Sequence, residues 1–303
     1  MGAVPTAQAP RLMTALISPF DDRGRLDTGL AADLARRLCD RGSDGFVLAG
    51  TTGESPTLST EEKLALCTAV RRALGDRAPV WLGTGSYNTA ESVHLTAAAE
   101  DAGAQGVMAV VPYYSRPPQQ GLLPHFTAIA GATRLPVMVY NIPGRTACNL
   151  LPQTLAQIVA EAPNVTAVKE ASRDLEQVAE IMRLLPGLDV YSGDDQLTLP
   201  IVALGGRGVV SVASHLVPER LAALLDACGS GQWDRARGIH TELLPLYRAL
   251  FVTTNPIPVK VALRMGGFAA GGFRPPLCEP LPAEAEVIER ALRQFGLVGA
   301  PGS

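Results

Sequence analysis

The chain has 303 residues, 47% hydrophobic and 18% charged, with a formal net charge of −3. That length is ample for a large single core or a barrel. The charge is spread without a basic stripe, which argues against a nucleic-acid partner, and no apolar run approaches the ~20 residues that span a bilayer.

The opening residues, MGAVPTAQAP (1–10), read as a disordered tail. They lack the basic and apolar regions of a signal peptide. Gly2 and Thr6 formally satisfy a myristoylation pattern, but an unmodified tail on a cytoplasmic protein is expected. From residue 11 onward, short apolar and β-branched runs alternate with amphipathic stretches, the pattern of parallel βαβ units. Strands are predicted at LMTALI (12–17), GFVLAG (45–50), VWLGTG (80–85) and GVMAVV (106–111). They continue at VMVYN (137–141), VTAVKE (165–170), DVYSGD (189–194) and GVVSVA (208–213). In the helix between the second and third strands, Ser59 is placed as N-cap and Glu62 completes a capping box.

Eight such units predict a (β/α)8 TIM barrel over residues 11–228. An open doubly wound sheet would carry a GxGxxG turn after its first strand, where this chain reads SPFDDRG. Residues 229–297 read as a C-terminal helical extension, interrupted by TTNPIP and GGFAAGGFRPP, and 298–303 as a tail. The five cysteines are scattered without CxxC spacing, so free thiols in a reducing compartment are expected. The four histidines form no HExxH or i, i+4 pair, so no metal site is expected.

In a barrel of this kind the reactive side chains gather at the C-terminal ends of the strands. Those ends read GTTGES, PYYS, YNIPGRT, KEAS and SGDD. Lys169 closes the sixth strand. Of the 26 lysines and arginines, only Lys63, Lys169 and Lys260 are lysine. A guanidinium stays protonated, whereas an amine can lose its proton and attack a carbonyl to form a Schiff base. Burial and nearby cations would have to pull its pKa well below the usual ~10.4. The strand pattern also allows a snorkelling lysine, or one ion-paired with Glu170.

GTTGES (50–55) offers hydroxyls and backbone N–H groups on a glycine-framed turn, an arrangement suited to a carboxylate. It lacks the spacing of a P-loop and can equally be a structural turn. Tyr140 and Tyr114 are phenols that Thr51 can bridge, and Schiff-base chemistry needs such a proton relay. Either tyrosine can also be a core-edge residue. Arg145 can clamp a carboxylate bidentately or be a surface arginine. Asp194 and Asp195 are expected to cap the following helix rather than to act as a catalytic pair.

Taken jointly, GTTGES, PYYSRPPQQG, YNIPGRT, VKEAS, SGDD and NPIPVK resemble, in order and spacing, the motifs of the 4-hydroxy-tetrahydrodipicolinate (dihydrodipicolinate) synthases. These belong to the pyruvate-dependent class I aldolase and N-acetylneuraminate lyase family. The resemblance runs from about residue 11 to 295. It implies a lyase of lysine and diaminopimelate biosynthesis that condenses pyruvate with L-aspartate 4-semialdehyde and needs no metal or organic cofactor. A cytoplasmic homotetramer, a dimer of dimers, is implied as well.

The resemblance further implies that Lys169 forms the Schiff base with pyruvate and that Tyr140 is the general acid/base above it. Thr51 and Tyr114 complete the relay, with Tyr114 lent by a neighbouring subunit. Thr51 and Thr52 hold the pyruvate carboxylate, and Arg145 holds that of the semialdehyde. Gly193 and the backbone of Val210 line the site beside the lysine. The alternative is a related aldolase acting on a sugar acid, which must hold a polyhydroxyl chain. YNIPGRT supplies an arginine and no hydroxyl cluster.

A barrel kept only for binding would show a damaged relay. A phosphate-binding isomerase would want a glycine-rich nest after the last strands, and LGGRG precedes the eighth instead. Tyr113 and Glu91 match the pattern of members inhibited by lysine, whereas Pro56, Thr60 and Lys63 depart from it, so weak or absent lysine inhibition is expected. Val111 and Ser115 are smaller departures beside Tyr114.

Overall fold

Eight short parallel strands close on themselves in the computed structural model, which describes residues 9–298. They are β1 (Leu12–Ala15), β2 (Gly45–Leu48), β3 (Val80–Gly83), β4 (Gly106–Val110), β5 (Val137–Asn141), β6 (Val165–Glu170), β7 (Asp189–Ser192) and β8 (Gly208–Ser211). Each pairs with its successor, and β8 pairs with β1. The helices outside them begin with α1 (Thr28–Asp40), α2 (Thr60–Leu74), α3 (Thr89–Ala99) and α4 (Gln119–Gly131). The short α5 (Pro143–Thr146) precedes α6 (Pro152–Glu161), α7 (Leu175–Leu184), α8 (Thr198–Ala203) and α9 (Pro218–Gly229). Three more follow the barrel: α10 (Trp233–Ala249), α11 (Ile257–Met265) and α12 (Pro282–Gln294). Residues 1–8, with the Gly2 and Thr6 pattern, and 299–303 lie outside the described residues.

Every strand starts where the sequence predicts, and six end one or two residues earlier. The overrun residues, such as Leu16, Ile17, Ala49 and Val212, stay buried at the barrel mouth after leaving the ladder. Apolar composition reports burial and not pairing, so it cannot mark that boundary. At α2 the Ser59 hydroxyl accepts from the Glu62 N–H at 3.2 Å, and the Glu62 carboxylate accepts from the Ser59 N–H at 3.0 Å. A cap of this kind stabilises a helix by about 1 kcal/mol.

Successive strand residues face opposite sides of the sheet, and this parity builds two cores. Phe46, Leu48, Val107, Val139, Val168 and Val209 face the helices. Met13, Val47, Trp81, Met108, Met138, Tyr140, Ala167, Tyr191 and Val210 fill the barrel. β6 breaks the parity once. Its register against β5 slips between Val137↔Val165 and Met138↔Ala167, leaving Thr166 unpaired and exposed. An extra residue of this kind exchanges the two faces for everything downstream. Val165 and Val168 therefore both face the helices, and Ala167 and Lys169 both face inward.

Candidate active site

Lys169 sits in register between Tyr140 of β5 and Tyr191 of β7. The residue is 5% exposed, and its Nζ lies 4.2 Å from the centroid of the Tyr140 ring. Burial pulls its pKa down to about 7; the Asp195 carboxylate opposes that and the Arg145 guanidinium adds to it. A displacement of this size is worth roughly 5 kcal/mol in favour of the neutral amine. The snorkelling reading fails on this burial. The Glu170 ion pair fails on parity: Glu170 points the other way and accepts from Ser172 N–H at 2.7 Å, Asn141 at 3.1 Å and Gln177 at 3.2 Å. Asn141 and Glu170 are the register pair one step beyond Tyr140 and Lys169, so their bond fixes the strand alignment that stacks phenol over amine.

Gly193, just after β7, explains how the lysine is held. A Cβ there would stand 2.8 Å from the Ala171 Cβ and 3.1 Å from the Lys169 Cε, so a side chain would displace the amine. Val210 is buried in the barrel interior beside it. Tyr140 is buried, and that burial raises its pKa, with the Thr51 side chain and Arg145 acting the other way. It is therefore a neutral phenol at physiological pH.

Above this floor is a cavity of about 280 Å³ whose wall includes Thr51, Glu54, Tyr113, Tyr140, Arg145 and Asn255. Arg145, on α5, donates to the Asn255 carbonyl at 3.1 Å. The Asn255 amide donates to the Thr52 hydroxyl at 3.0 Å, and Thr52 is buried. Asn255 thus ties the two carboxylate-binding candidates together, a link the sequence reading missed although NPIPVK contains the residue. Lys169 lies one layer beneath the cavity wall, under the Tyr140 ring.

Tyr114 is not brought to this cluster. It is 93% exposed, in a left-handed backbone conformation at φ +67° on the loop after β4. Its neighbour Tyr113 turns inward and stacks edge-on with Tyr87 at 5.2 Å. One expectation is corrected. Asp194 caps the turn after β7, accepting from the Gln196 N–H at 3.0 Å. Asp195 does not cap: it is buried and accepts from the Ser211 hydroxyl and from the N–H groups of Val212 and Ala213 at 3.0 and 3.1 Å. Those bonds pin the start of the β8 loop; the carboxylate acts on the lysine through its charge, and its own pKa is raised to about 6 by burial.

A closed parallel barrel with a buried lysine on its sixth strand, beneath a phenol, places the chain among the (β/α)8 barrel proteins with a polar site at the C-terminal ends of the strands. Within that class the chain belongs to the dihydrodipicolinate synthetase family, whose model matches residues 8–294. The chain is 51% identical over 294 residues to the 4-hydroxy-tetrahydrodipicolinate synthase of Desulforudis audaxviator, covering 97% of this chain and 100% of that protein. It superposes on the crystal structure of dihydrodipicolinate synthase from Aquifex aeolicus with a TM-score of 0.94 at 39% identity, covering 96% and 100% of the two chains. The chloride-inhibited dihydrodipicolinate synthase from Acinetobacter baumannii, crystallised with pyruvate, gives a TM-score of 0.92 at 33% identity, covering 96% and 100%.

Proposed function

We propose that the chain condenses pyruvate with L-aspartate 4-semialdehyde to 4-hydroxy-tetrahydrodipicolinate, the step that leads to diaminopimelate and lysine. The observation that carries the reading is the buried Lys169 amine with a pKa near 7 beneath the Tyr140 phenol. The neutral Nζ attacks the pyruvate ketone, and Tyr140 protonates the departing hydroxyl, which leaves as water. The iminium then draws electrons from the adjacent methyl, whose proton passes to the Tyr140 phenolate left by the dehydration, giving an enamine and restoring the phenol. The enamine carbon bonds to the aldehyde carbon of the semialdehyde, and the new alkoxide takes a proton through Tyr140 and Thr51. The amine of the adduct then adds to the iminium carbon and expels Lys169. The ring closes and the lysine is free again, with no metal or organic cofactor in the scheme.

In this reading Thr51 and Thr52 hold the pyruvate carboxylate, with Gly193 and the Val210 backbone shaping the floor. Arg145 holds the second carboxylate, which favours the semialdehyde over the polyhydroxyl chain of a sugar acid. Tyr114 completes the relay of a neighbouring copy; its exposure fits a residue that works outside its own subunit, in a homotetramer. The cytoplasm is the proposed location: all five cysteines are free thiols, and among the described residues no helix is long and apolar enough to cross a membrane.

The test is to incubate the protein with pyruvate and borohydride, which reduces the imine to a stable amine. A mass gain confined to the peptide carrying Lys169 is expected; labelling elsewhere, or none, overturns the reading. Semialdehyde offered against sugar acids then separates the two aldolase readings.

The rate of trapping carries a pH signature. Only the neutral amine attacks, so second-order trapping rises with pH through about 7 and levels off above it. An ordinary lysine would be only about 0.03% neutral at pH 7 and its rate would climb until about pH 10. A profile still rising steeply between pH 8 and 9.5 contradicts the burial argument.

Lysine inhibition is expected to be weak. The half-buried Lys63 ammonium stands near Glu91, where its charge repels a cationic effector. Micromolar inhibition by lysine in a steady-state assay would refute this.

A further inference from the structure

Lys260, on α11, is buried more completely than the reactive lysine, with a side chain 0% exposed. Its ammonium spends all three protons on oxygens from separate segments. One goes to the Glu54 carboxylate at 2.7 Å, one to the Ser18 carbonyl at 3.0 Å, and one to the Gly272 carbonyl. The rings of Phe20 and Phe273 flank it at 4.4 and 5.1 Å. Glu54 is likewise 0% exposed, and its second oxygen accepts from the Arg274 N–H at 3.2 Å. The loop after β1, the turn after β2 and the C-terminal extension therefore meet at one ammonium.

A buried pair of this kind adds little to stability compared with apolar side chains of the same volume, so its use lies elsewhere. The turn it grips is the one carrying Thr51 and Thr52. The Glu54 N–H donates to the Thr51 carbonyl at 3.1 Å and the Ser55 N–H to the Gly50 carbonyl at 3.2 Å. The Ser18 hydroxyl donates to the Gly53 carbonyl at 2.7 Å. Glu54 itself is left-handed at φ +53°, a conformation that persists in a non-glycine residue only when its surroundings impose it.

We infer that the Glu54–Lys260 pair is a positioning device that sets the Gly50–Ser55 turn, and so the two threonines, against the pyruvate carboxylate. The pair touches no reacting atom in this scheme and acts through the turn. The inference rests on the proposed function, in which those threonines bind that carboxylate.

Two variants test it. Glu54→Leu with Lys260→Met removes both charges together and keeps the volume, which avoids stranding a lone buried charge. Glu54→Gln removes one charge without changing shape, and decides the matter alone should the double variant fail to fold. The pyruvate KM is expected to rise at least about fivefold in folded variant protein while the semialdehyde KM stays within about twofold, the mark of lost binding for one substrate. A pyruvate KM within about twofold of wild type, or both KM values rising together, overturns the inference and leaves the pair a contact that only joins the three segments. Borohydride trapping on the wild type separates this from the parent reading, because a wild type without an adduct on Lys169 fails the proposed function instead.

Discussion

Lys169→Met is expected to lower kcat by about 10⁴-fold or more, to abolish the borohydride-trapped adduct, and to make the protein more stable. The losses follow because methionine cannot form an imine and no lysine lines the cavity wall to take its place. Lys260 has committed its protons to oxygens, and Lys63 stands beside Glu91. The gain follows from burial. In the unfolded chain the lysine titrates near 10.5, and in the folded chain near 7. Above pH 10.5 both states are neutral and the lysine carries no charging penalty; as the pH falls the unfolded chain binds a proton that the folded chain refuses. The penalty grows through that window and is complete below about pH 7, where it reaches roughly 5 kcal/mol. Methionine has a similar length and no charge, and it packs in an apolar wall. The stability difference between variant and wild type should therefore be largest near neutral pH and shrink toward pH 10. Thermal or denaturant unfolding at pH 7 and 9.5 measures it. A variant no more stable than wild type at pH 7 would mean the amine is charged and well solvated, and the mechanism would lose its nucleophile.

The sequence carried the strand starts because each follows a turn or polar residue that breaks the apolar run. It carried the site motifs because strand ends must supply polar groups to the mouth of a barrel. It could not tell which way Lys169 points. Counting alternate residues from Val165 places the lysine outward, against the helices, and only the bulge at Thr166 reverses that. A bulge leaves no composition signal in a stretch as uniform as NVTAVKEAS. Asp195 was misread for a related reason. An aspartate beside a strand end suggests a cap, and its true donors lie on β8 and the loop after it, sixteen to eighteen residues away. The Glu54–Lys260 pair spans 206 residues; neither GTTGES nor NPIPVK hints at the other. What periodicity and local motif encode was legible, and pairings between distant loops were not.

Tyr140→Phe is expected to lower kcat by about 10²–10³-fold while leaving the fold unchanged. The substitution deletes one oxygen and keeps the ring that covers the lysine, so Nζ retains its aromatic ceiling and its burial. The pH profile of imine trapping should therefore still turn near 7, even as its plateau drops. Loss of the carbinolamine hydroxyl as water needs a proton from a group already in place, and here that donor is a phenol whose ionisation is suppressed by burial. Without it the proton must come from another hydroxyl, such as Thr51 in the cavity wall, or from solvent in that cavity. The adduct should still accumulate to the same final amount given time, because the equilibrium between pyruvate and imine does not contain the phenol. Equal endpoints with slower approach would distinguish a proton donor from a residue that merely shapes the pocket, which would lower the endpoint as well. A fall of tenfold or less, with wild-type trapping rates, would assign the proton to another hydroxyl and leave Tyr140 as the lid over the amine.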